Sequence, residues 1–157
     1  MTNKQRFMQI QINNHVLPTN YTVSKHNPLT SPECTFCNAE RETLSHLFFD
    51  CIKVQGLYRQ IEGILITALS PMTFLKKYCL FGYDKLKGSD KENLMSALCR
   101  AYIWKQKAKK SSLCIASWKA YIRADLEVKK ACININKIDE VANFEYDWGA
   151  LLLHLEP

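Results

Sequence analysis

Glycine and proline are scarce, five of each in 157 residues. With so few residues suited to tight turns, a β-sandwich and its many short connections are excluded. Long hydrophobic runs are also missing. The longest, Ile64-Leu65-Ile66-Thr67-Ala68-Leu69, is far short of the ~20 residues that span a bilayer. The first 20 residues are polar and mixed, without the apolar stretch of a secretory signal. No Gly-rich phosphate loop occurs and no Asp-Asp pair, so phosphate cradling and the paired-aspartate chemistry of a polymerase find no footing. The seven cysteines are odd in number and follow no signal, which argues for a reducing compartment, nucleus or cytoplasm, and against a disulfide framework.

What is present is a folded chain. Hydrophobic residues make up 47% and aromatics 11%, enough for a proper core in a domain of this length. The densest chemistry lies in Cys34 to Cys51, CTFCNAERETLSHLFFDC, which has the spacing Cys-x2-Cys-x8-His-x4-Cys. Three thiolates and one imidazole are the ligand set of a closed tetrahedral zinc site, with Cys34, Cys37, His46 and Cys51 as the ligands. As ordinary buried residues, four such side chains in one 18-residue window would be an improbable coincidence. Thr43 is placed to cap a helix that starts at Leu44 and carries His46 in its first turn. His46 and Cys51 are five apart, about 140° around a regular helix. The helix is therefore expected to tighten or to end near Asp50. Asn38, just after Cys37, suits a left-handed turn. A closed Cys3His site leaves no open position for hydrolysis and serves stability, structural zinc contributing roughly 10–16 kcal/mol in finger-sized peptides.

The rest of the chain reads as helices. Residues 4 to 17 are ambiguous, because Met8, Ile10 and Ile12 alternate like a strand while Phe7, Ile10, Asn14 and Leu17 follow a helical face. Pro18 stops this element, and Thr19 caps a short turn through Val23. His15 and His26 have no companion ligands and read as surface or packing histidines. Helical spacing recurs over 53 to 68 and 72 to 80. A longer helix spans 90 to 109, opened by a capping box at Ser89-Asp90-Lys91-Glu92. Two more follow, over 115 to 131 and over 138 to 155, the last interrupted near Gly149. The expectation is an all-α protein, a single helical domain with a zinc knuckle near its N-terminal end. Residues 1–68 hold the first helix and the knuckle, and residues 69–157 the helical remainder.

Charge is uneven. Residues 51 to 110 carry twelve lysines and arginines against four acids, whereas 111 to 157 carry five against seven. The run Lys105, Lys107, Lys109 and Lys110, with Arg100, is a candidate for phosphate contact, and Trp104 or Phe36 for base stacking. The competing view is a solvated basic helix end that complements the helix dipole. Cys79, Cys99, Cys114 and Cys132 fall at helical core spacings and read as packing residues.

Ser31-Pro32-Glu33-Cys34-x2-Cys37, followed by Glu42-Thr43-x2-His46-Leu47-Phe48-x2-Cys51, resembles the zinc-binding motif at the C-terminal end of LINE-type (non-LTR) retrotransposon reverse transcriptases. Leu17-Pro18-Thr19-Asn20 is similar to a Leu-Pro-Thr step upstream of that motif. The resemblance implies a helix over residues 4 to 17, zinc on the four ligands named, and a segment that follows the polymerase and holds template RNA or target DNA, single- or double-stranded, during target-primed reverse transcription. Polymerase motifs are missing here, and so is the Pro-Asp step of the nuclease that some relatives place after the zinc motif. The expected protein is thus a non-enzymatic fragment, truncated or adopted by a host, with no membrane and no small-molecule substrate. Its rival is a structural or protein-interaction domain in which zinc only scaffolds.

Overall fold

The computed structural model describes residues 3–69, 72, 74–81, 90–133 and 138–156. Among them are seven α-helices and one π-helical turn, with no strand beyond an isolated antiparallel bridge between Glu33 and Arg41. The protein is all-α. The helices are α1 (Asn3–Asn13), α2 (Asn20–Ser24), α3 (Ile52–Ala68), α4 (Lys76–Phe81), α5 (Asp90–Lys109), α6 (Ile115–Ala131) and α7 (Ile138–His154), and the π turn is His46–Asp50. Among the described residues no helix is long and apolar enough to cross a membrane.

Two compact units share the chain: residues 1–58 with 74–113, and residues 59–73 with 114–157. Helix α3 contributes its first turns to one unit and the rest to the other. Its buried residues are Val54, Leu57 and Tyr58 in the first unit and Ile61, Leu65 and Ala68 in the second.

In the first unit α1, α4 and α5 pack on one another, and α4 and α5 both touch the π turn. The ambiguous segment is helical, but not with the face the spacing suggested. Gln5, Met8 and Ile12 are buried, while Phe7 and Ile10 are 62% and 57% exposed. One reason lies in a polar contact: the Gln9 side-chain amide donates to the Leu80 carbonyl at 3.0 Å, which turns that side of α1 towards α4. Helix α1 ends with His15 in the left-handed region at φ 55°, and Val16 N–H returns to the Gln11 carbonyl at 2.9 Å. Thr19 caps α2, its hydroxyl accepting from Thr22 N–H. Helix α5 buries Met95, Leu98, Tyr102 and Ile103. Ser89, the first residue of the expected capping box, lies outside the described residues.

In the second unit α6 packs on α7. Trp118, Ile122 and Leu126 supply one buried stripe, and Phe144, Trp148, Leu151 and Leu155 the other. Helix α7 runs without a break through Gly149. The glycine costs about 1 kcal/mol of helix propensity, which burial of Trp148 and Leu151 on either side of it offsets.

Candidate metal centre

The four expected ligands converge. The donor atoms of Cys34, Cys37, His46 and Cys51 all lie within 4.8 Å of one another. Cys34 and Cys51 are fully buried and His46 nearly so. Cys34 Sγ and Cys51 Sγ stand 3.8 Å apart. That is far beyond the ~2.05 Å of a disulfide and equals the edge, about 3.8 Å, of a tetrahedron with sulfur ~2.3 Å from a central zinc. His46 Nε2 lies 3.3 Å from Cys37 Sγ on the opposite edge.

The knuckle is closed by backbone bonds. Cys34 N–H donates to the Glu40 carbonyl and Glu42 N–H to the Pro32 carbonyl, each at 2.8 Å, which forms the Glu33–Arg41 bridge. Asn38 turns the chain at φ 52°, its N–H on the Cys34 carbonyl at 2.9 Å. Phe36 N–H points at Cys34 Sγ, 3.4 Å away.

The second pair of ligands is brought together by widening the helix and ending it at Asp50, where the expectation had been that it tighten or end there. Thr43 caps as its position suggests, its hydroxyl accepting from His46 N–H at 3.1 Å. The chain then takes one π turn, and Cys51 N–H bonds to the His46 carbonyl at 3.0 Å. An i→i+5 bond carries the fifth residue round towards the same side as the first, which a regular helix does not do. The turn exposes the Phe48 carbonyl to a partner of its own, and the fully buried Tyr58 hydroxyl donates to it at 2.9 Å. Ser45 and Lys76 both bond to Asp50 at the end of the turn.

Cys51 is extended, at φ −62° and ψ 126°, and its carbonyl starts α3 by accepting from Gln55 N–H. Its thiol is shifted down, first by the contact with Cys34 and then, against burial, by amides of Val54 and Lys53 in the first turn of α3. The Cys34 thiol is shifted up, first by Cys51 and then by burial. Ligation displaces the protons of both thiols.

A residue that the spacing argument missed organises the whole centre. Glu42 is completely buried. Its Oε2 accepts from Thr35 N–H and Thr35 Oγ1, at 2.9 and 2.8 Å, inside the Cys34–Cys37 loop. Its Oε1 accepts from Asn20 N–H at 2.8 Å at the start of α2, and from Lys107 Nζ at 2.9 Å. Asn20 repeats the linkage, taking Lys107 on its Oδ1 at 2.7 Å and donating to the Glu33 carbonyl. One signal was available: a carboxylate inside a zinc motif that needs no fifth ligand calls for another task.

This corrects part of the expected nucleic-acid surface. The Lys107 side chain is only 12% exposed and its ammonium is held by Glu42. Arg100 is buried, with its guanidinium on the carbonyls of Tyr78 and Cys79 and on Ser96 Oγ. Both face inwards because the α5 positions 96, 100, 103 and 107 follow one helical stripe. Lys105, Lys109 and Lys110 are exposed, and Trp104 and Phe36 are half-buried. The Trp104 ring lies 5.6 Å from the Lys107 ammonium.

Residues 1–57 match the protein family described as zinc-binding in reverse transcriptase. The matched stretch holds α1, α2, all four ligands and the first turn of α3. The chain matches no curated protein and no solved structure. The donor set, the tetrahedral edge and this match agree on one cofactor, and the centre is a zinc site in a stretch similar to the zinc-binding region of reverse transcriptases.

Proposed function

We propose that the chain is a non-catalytic, zinc-stabilised nucleic-acid-binding segment of the kind found at the C-terminal end of a LINE-type reverse transcriptase, one that holds template RNA or target DNA. One observation carries the reading. The Lys107 bridge to Glu42 and Asn20 fastens the C-terminal end of α5 to the zinc knuckle, so exposed Lys105, Lys109 and Lys110 stand on a support that the metal makes rigid. Cations held in this way neutralise phosphates and release counterions. The half-buried Trp104 and Phe36 supply stacking surface, worth about 1–3 kcal/mol per base on single strands. The work is placed in the nucleus or cytoplasm.

The test is a salt titration of binding by the zinc-loaded chain to labelled single-stranded RNA, single-stranded DNA and duplex DNA. Binding that weakens linearly on a log–log plot supports the reading. Zinc uptake without salt-sensitive binding to any of the three defeats it. A second reading, a protein-interaction domain scaffolded by zinc, draws on the exposed Phe7 and Ile10 of α1. Salt-independent capture of a partner protein, lost on Phe7→Ser, would favour it.

A further inference from the structure

We infer that Glu40 is the outer partner that orients His46 on the metal, a positioning role resting on the zinc reading above. His46 presents Nε2 to the cluster, 3.3 Å from Cys37 Sγ. A neutral imidazole that ligates through one nitrogen carries its proton on the other. That nitrogen, Nδ1, is buried and has no aligned hydrogen-bond acceptor. The Glu40 carboxylate is the acceptor within reach, with Oε2 3.3 Å from Nδ1.

The neighbouring acceptors are engaged elsewhere. Thr43 Oγ1 takes the His46 backbone N–H, and the Asp50 carboxylate takes Ser45 and Lys76. Glu40 is itself fixed to the knuckle, because its carbonyl accepts from Cys34 N–H at 2.8 Å. One residue thus ties both halves of the centre, by its backbone to the Cys-x2-Cys loop and by its side chain to the histidine. Its side chain is 72% exposed, so it reaches the buried His46 Nδ1 from the solvent side without being buried itself. A carboxylate behind a ligating histidine fixes the tautomer and raises the basicity of the ligand nitrogen.

The experiment compares zinc affinity of the full chain by competition with a chromophoric chelator, for the wild type and for Glu40→Ala, Glu40→Gln and Glu33→Gln. Glu33 is an exposed acid across the same bridge and serves as the control. Glu40→Ala is expected to weaken binding by about 10–100-fold, Glu40→Gln by less, and Glu33→Gln not at all. Ring proton–nitrogen correlation spectra of the zinc-loaded chain should show His46 protonated at Nδ1 in the wild type, with faster exchange of that proton in Glu40→Ala. Circular dichroism in excess zinc checks that each variant folds, and Glu40→Gln keeps the comparison open should the alanine variant fail. Affinity of Glu40→Ala within about twofold of the wild type, against the loss expected of an outer partner, or His46 bound through Nδ1, overturns the assignment. A wild-type chain that takes up no zinc overturns the metal centre itself.

Discussion

Glu42 and Lys107 meet at 2.9 Å with the carboxylate wholly inside the protein and the ammonium nearly so. The pair joins the zinc knuckle to the far end of α5, and its two members are not equally replaceable. Lys107→Met leaves a buried carboxylate with only neutral donors, a loss of about 3–5 kcal/mol. Glu42→Gln leaves a lysine close enough to the surface to reach water and should cost less. The double variant should recover part of the loss, and urea denaturation of the zinc-saturated proteins gives the coupling from the four midpoints. A Lys107→Met cost below about 1 kcal/mol, the range of an exposed pair, would mean that the bridge opens in solution.

Metal removal gives the second expectation. The chain should hold one zinc, and a strong chelator should expose the amides of Cys34, Asn38, Glu42 and Cys51, which close the knuckle and the π turn. Cys37→Ser should do the same without chelator. Amides of α6, which lies in the other unit, should keep most of their protection. Hydrogen exchange read by mass spectrometry separates these regions, and uniform loss across both would show that the two units unfold together.

Several features of this arrangement were legible in the sequence because their causes are local. The Thr43 cap, the Asn38 turn and the four ligands follow from side chains acting within a few residues. The need for an irregular helix between His46 and Cys51 was legible too, from their angular offset. The device was not, since a π turn depends on a distant hydroxyl, Tyr58, to satisfy the carbonyl it frees. The inner face of α1 was misread for a similar reason. Phe7 and Ile10 outrank Gln5 and Gln9 on any hydrophobic scale, yet it is a glutamine amide that meets α4. Lys107 looked like one of four equivalent lysines, although its place on the stripe of Arg100 and Ile103 marked it as different.

That difference can be measured in the binding assay. Lys105→Gln and Lys109→Gln should each lower nucleic-acid affinity about uniformly across sequences and reduce the salt slope by about one. Lys107→Gln should act through stability, lowering the denaturation midpoint before it alters the slope. An unchanged slope for both exposed lysines would remove this end of α5 from the interface.

Helix α3 contains a glycine with no packing reason for being one. Gly63 is exposed, and a Cβ built on it would meet nothing within 4 Å. Gly63→Ala should therefore stabilise the protein by about 0.5–1 kcal/mol through helix propensity. A higher thermal midpoint with unchanged zinc content is the expected result, and a lower one would mean that this turn of α3 is not helical in solution.

The most discriminating variant is at Lys110, where one residue carries two separable effects. Lys110 ends α5 in the left-handed region at φ 52°, with its N–H on the Lys107 carbonyl and Ser111 N–H on the Gln106 carbonyl. This is the helix-ending position that glycine fills without a Cβ penalty, whereas an ordinary residue in that conformation costs roughly 1–2 kcal/mol. Lys110→Gly should raise the unfolding midpoint by relieving that cost. It also deletes an exposed ammonium, so binding should weaken and the salt slope should fall by about one. Any destabilising lysine variant can lose binding by unfolding, but loss of binding from a more stable protein has no such explanation. If Lys110→Gly binds as tightly as the wild type at low salt, Lys110 makes no phosphate contact and the basic end of α5 is a solvated helix terminus.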